Sequence, residues 1–82
     1  MVEVSFFGRL QDVAGGASRQ INLDGACTVD DLVAALTKDD ARLEAELRAP
    51  TTRYVVDNEI VAGTALIGDA REVGFIPPVG GG

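Results

Sequence analysis

The chain has 82 residues, 46% of them hydrophobic, and thirteen acids against seven bases leave it a net charge of −6. That length suits a single domain over 1–82, which buries about 60–65% of the surface its unfolded chain exposes and leaves no room for a second. With no histidine and one cysteine, Cys27, the chain cannot supply zinc sites built on those ligands, Cys–His nucleophiles, histidine general bases or an internal disulfide. The acidic field repels phosphate backbones and favours a partner with a basic surface, so nucleic-acid binding is not expected. No apolar run approaches the ~20 residues of a membrane span. "MVEVSFFG" carries Glu3 where a secretory signal carries a base, and it lacks a long apolar core, so a cytoplasmic location is expected.

"VEVSFF" alternates, with Val2, Val4 and Phe6 on one face and Glu3, Ser5 and Phe7 on the other, which predicts a strand. After Gly8, "RLQDVAGG" sets Leu10, Val13 and Ala14 at helical spacing before two glycines stop the turn. "SRQINLD" alternates again, with Ile21 and Leu23 on one face and Asp24-Gly25 at its end, so the two runs read as a hairpin with a wide connection.

Thr28 is a suitable N-cap and Asp31 stands three residues on, where its carboxylate can return the bond; Val29, Leu32, Val33 and Leu36 then form one apolar stripe. "DARLEAELRA" predicts a shorter helix with Leu43 and Leu47 four apart, closed by Pro50. "TRYVVDNEIV" reads as strand, polar turn at Asp57-Asn58 and second short strand. "REVGFIPP" is the last strand, with Val73 and Phe75 on one face and Gly74 and Ile76 on the other.

This order predicts an α+β domain, a ubiquitin-like roll whose mixed sheet of about five strands wraps one main helix, with the first and last strands neighbours at its centre. Pro77 and Pro78 have fixed φ and no N–H, so they end ladder pairing and favour a stiff exit into the tail 77–82. Gly80, Gly81 and Gly82 carry no side chain, so a role for this flexible tail falls to backbone and terminal carboxylate.

"EVGFIPPVGGG", together with "VEVSFFGRLQDVAG", "TVDDLVAAL" and "VVDNEIV", resembles the ThiS/MoaD family of ubiquitin-like sulfur carriers, in particular the small subunits of molybdopterin synthase. Gly80 stands at the family's variable position, and "IGDAREV" replaces its compact Asp-Gly-Asp-Glu-Val turn. The resemblance implies that a ubiquitin-activating-type enzyme adenylates the Gly82 carboxylate with ATP and magnesium. A sulfur donor protein then converts the adenylate to a thiocarboxylate, which enters the active site of the large synthase subunit, in a heterotetramer, and supplies dithiolene sulfur to molybdopterin. The chain would bind no cofactor, and the catalytic acids and bases would belong to its partners. Gly80 and Gly81 would thread a narrow channel, where a side chain would clash.

Alternatives stand beside these readings. The same chemistry could serve thiamine, cysteine or tRNA thiolation, or the chain could be a non-covalent ubiquitin-like module; without the preceding Pro-Pro-Val, a Gly-rich end would read as a frayed tail. Phe7, Ile60 and Ile76 are either a partner-facing patch, continued by Pro77, Pro78 and Val79 as the resemblance implies, or ordinary core. Cys27 is either a thiol acidified ahead of a helix or an incidental small residue. Asp39, Asp40, Glu44 and Glu46 read as a solvated helix face, and Glu3, Asp57 and Glu59 as plain surface or contacts to a basic partner.

Overall fold

A computed structural model describes residues 1–23 and 27–78 of the protein. Its elements in chain order are β1 (Val2–Phe6), α1 (Leu10–Ala14), β2 (Ser18–Ile21), α2 (Val29–Leu36), α3 (Ala41–Leu47), β3 (Arg53–Val56), β4 (Glu59–Val61) and β5 (Glu72–Ile76). The strands form one sheet in the order β2-β1-β5-β3-β4; β1 and β5 pair in parallel and the other pairs are antiparallel. First and last strands thus meet at the centre, as expected of the ubiquitin-like roll. The second strand ends at Ile21, so Leu23 packs on the core from beyond it, while Asp24-Gly25 lie outside the described residues.

One face of the sheet carries the core. Val2, Val4, Phe6, Val73 and Phe75 are at most 2% exposed. Phe6 stacks on Phe75 with ring centroids 5.9 Å apart, and Tyr54 meets Phe75 edge-on at 5.5 Å. The apolar stripe of α2 faces them, but the core is not the work of one helix. Leu43 and Leu47 of α3 and Leu10 of α1 are buried completely, each contributing about 1.5–3 kcal/mol of hydrophobic stabilisation. The Tyr54 hydroxyl ties α3 to the sheet by donating to the Leu47 carbonyl at 2.7 Å.

At the start of α2 both halves of the capping box are present. The Asp31 N–H donates to Thr28 Oγ1 at 3.1 Å, and the Thr28 N–H donates to the Asp31 carboxylate at 3.0 Å. The remaining donors of that turn are met by the loop after β4: Val29 N–H binds the Ala65 carbonyl at 3.0 Å and Asp30 N–H the Gly63 carbonyl at 2.9 Å. Ile67 N–H returns a bond to the Cys27 carbonyl at 2.8 Å, and the Ile67 side chain plugs the core beneath.

The acids of α3 are not simply a solvated face. The Asp40 carboxylate caps the helix, accepting from Leu43 N–H at 3.0 Å, while Glu44 pairs with Arg48 and Glu46 with Arg9, each at 3.1 Å. Among the described residues no helix is long and apolar enough to cross a membrane.

Candidate functional site

The place where β5 ends is built by close approach of two backbones. Phe6 pairs with Phe75, and Phe7 N–H makes a final bond to the Phe75 carbonyl at 3.1 Å before Pro77 and Pro78 stop the ladder. Gly8 then turns the chain away with φ +57°, and a Cβ there would stand 3.0 Å from Pro77 Cγ. The Phe7 ring lies on the bare backbone of Gly74, where a Cβ would come within 3.1 Å of Phe7 Cε2. A glycine inside a strand pattern signals such an approach, so Gly74 was open to detection, whereas Gly8's contact depends on a partner 69 positions away.

Alternation and register put Phe7, Gly74, Ile76, Val55 and Ile60 on the outer side of the sheet. Gly74 pairs with Val55 and Val55 with Ile60, forming an apolar row across three strands. Phe7 is 44% exposed and Ile60 71%, so neither is core; Ile76 is half-buried. The core reading therefore fails for Phe7 and Ile60, and half-buried Ile76 lies at the edge of the same face. Ile76, half-buried Pro77 and exposed Pro78 also line a shallow groove with Pro50, Thr51 and Arg53. Val79, Gly80, Gly81 and Gly82 lie outside the described residues.

The far end of the same face is polar. Ser5, 9% exposed, donates its hydroxyl to the Glu72 carboxylate at 2.7 Å, and Glu3 stands beside Glu72 in register. The Asp57 carboxylate accepts from Arg71 N–H at 3.0 Å and Glu72 N–H at 3.1 Å, fastening the β3–β4 turn to the start of β5. Glu59, in β4, is exposed. Cys27 is not an acidified thiol: burial, then the negative charge of Asp31, push its pKa upward.

The ThiS family model matches residues 4–82. The chain belongs to the ThiS family. Its solved neighbours agree on the fold. A Pyrococcus furiosus protein provisionally described as molybdopterin converting factor, subunit 1, superposes with a TM-score of 0.80 at 25% identity, covering 95% of this chain and 97% of its own. SAMP1 of Haloferax volcanii superposes at 0.79 with 27% identity, covering 99% and 98%. Small archaeal modifier protein 1 of Methanosarcina acetivorans, at 0.78 and 22% identity over 99% and 95%, adds support for the fold alone. No curated protein matches in sequence. This ThiS-family chain therefore has the ubiquitin-like β-grasp fold of the sulfur carriers and modifiers, with an apolar outer face beside the root of its tail.

Proposed function

We propose that this ThiS-family chain is the sulfur carrier subunit of a molybdopterin synthase. In this reading the Gly82 carboxylate attacks the α-phosphate of ATP on a magnesium-dependent adenylating enzyme in the cytoplasm, releasing pyrophosphate. Sulfide then displaces AMP directly, or a donor protein's persulfide displaces it and a second thiol reduces the resulting acyl disulfide, leaving in either case a thiocarboxylate for delivery to the cyclic precursor in the large subunit. A free carboxylate is a poor electrophile and the mixed anhydride a good one, which is why activation must come first. The chain's part is to present a slender handle, with Gly80 and Gly81 threading and Phe7, Ile60, Ile76, Pro77, Pro78 and Val79 against the partner.

The observation that supports the reading is the exit: the chain leaves the centre of the sheet at Ile76 directly into two prolines, on a face where Phe7 and Ile60 are exposed. Ordering three glycines in a partner's channel costs about 1–2 kcal/mol of backbone entropy each, so partner hydrogen bonds to their amides must offset several kcal/mol. Gly81→Ala should block threading without unfolding the domain. The test is incubation with the adenylating enzyme, ATP, magnesium and a sulfur source, followed by intact-mass measurement. The expected change is one oxygen-to-sulfur exchange; a chain lacking Gly82 that still gains sulfur overturns the reading.

The likeness to SAMP1 favours a second reading, in which a target amine attacks the acyl adenylate and the chain becomes a protein modifier. Amide-linked products in place of the sulfur exchange would select it.

A further inference from the structure

We infer that the outer sheet face orients its protein partner by a charge pattern as well as by apolar contact: an acidic partner side chain meets Arg53 at the tail end, and a basic one meets Glu3 and Glu72 at the other. This rests on the carrier reading above and names the chemistry of the partner surface.

Along β5 the outward residues run Glu72, Gly74, Ile76, so the two ends of the face lie about 13 Å apart at ~3.3 Å per residue. At the tail end Arg53 is paired in register with Ile76 and, among the described residues, is the one charged side chain lining the groove with Pro50, Thr51, Pro77 and Pro78. Pro50, Pro77 and Pro78 offer the groove no N–H, and among the described residues Arg53 supplies its only side-chain cation, a planar fork suited to a carboxylate.

At the other end Glu3 and Glu72 are direct neighbours on parallel strands, an arrangement of like charges that destabilises a sheet. The ion pairs among the described residues involve Arg9, Arg48, Asp30, Glu44 and Glu46, and none of Glu3, Glu72, Arg53 or Arg71. Glu72 is met by a hydroxyl, and Asp57 spends its carboxylate on backbone N–H groups. An isolated base on an acidic molecule and an unneutralised acid pair flank an apolar row. Such a pattern fixes register and excludes a partner turned end for end.

Glu3→Lys, Arg53→Glu and, as a control, Arg42→Glu on exposed α3 are compared with the unchanged chain. Loading by the adenylating enzyme with ATP, magnesium and sulfide is measured against carrier concentration. Each of the first two reversals is expected to raise KM about tenfold at low salt with kcat unchanged, and the difference should shrink as salt screens the charges. Glu3→Lys is expected to raise the Tm by about 2–4 °C, because it converts a repulsive cross-strand pair into an attractive one. A raised KM together with a raised Tm in Glu3→Lys cannot come from unfolding. KM values equal to the Arg42→Glu control, or a Tm that fails to rise in Glu3→Lys, overturn the inference and leave the carrier reading intact. A dimer of the unchanged chain in sedimentation that Arg53→Glu dissociates assigns the face to a second copy and also overturns it. An unchanged chain that gains no sulfur brings down the carrier reading and this inference together.

Discussion

Gly8 joins a backbone requirement to a contact. Its φ of +57° is disfavoured for any side chain, and the space its Cβ would need ends 3.0 Å away at Pro77 Cγ. Gly8→Ala is expected to lower stability by about 1–2 kcal/mol, read from a shifted urea midpoint, and to displace Pro77 as seen in its NMR shifts. Two other side chains couple the fold to alkaline pH. Burial and then Asp31 raise the Cys27 thiol above its ordinary 9.0. Burial and then Asp30 raise the Tyr54 phenol above 10.0, against a smaller opposing pull from Arg48. Both hold their protons more tightly folded than unfolded, so the stability they supply is complete below those ordinary values and drains as pH climbs through the folded ones. The Tm should be flat from about pH 7 to 8 and fall above 9, and Tyr54→Phe should flatten the upper part of that fall in scanning calorimetry.

Helix α2 is held at its start by two independent devices, the capping box and the loop carbonyls of Gly63 and Ala65. Thr28→Ala removes one acceptor and leaves Asp31 N–H without its partner; it should cost about 1 kcal/mol, with the urea m-value unchanged because the same surface is still buried. The turn between β3 and β4 is equally local in origin. Asp57 and Asn58 both adopt positive φ, 45° and 72°, which matches the twist of a two-residue hairpin, and both residue types tolerate it. Asp57 then serves twice, since its carboxylate also holds the start of β5.

For the whole molecule, the parallel β1–β5 pairing makes the sheet's central strand the support for the tail. The strand that ends at the tail's root is paired with β1 on one side and β3 on the other, while the residues beyond Pro78 lie outside the described fold. Deleting Gly82 is therefore expected to leave the Tm unchanged while abolishing sulfur loading, a separation of stability from activity measured by calorimetry and intact mass on the same sample.

What the sequence determined was local: strand alternation around Val2, Val4, Phe6, Val73 and Phe75, the capping box at Thr28 and Asp31, the Asp57-Asn58 turn and the Pro77-Pro78 stop. Each depends on residues within a turn or strand of one another, where periodicity and φ preference act without distant help. Whether Phe7, Ile60 and Ile76 were core or patch was undecided there, because alternation assigns a residue to a face but not which face is covered. Leu43 and Leu47 read as a short amphipathic helix, yet their complete burial, the strap from Gly63 to Ile67 over α2, and the seating of Phe7 on Gly74 and of Pro77 on Gly8 required the strands to meet first. The meeting of Glu3 with Glu72 has the same origin: sixty-nine positions separate them, and only the parallel pairing of β1 with β5 brings two like charges side by side.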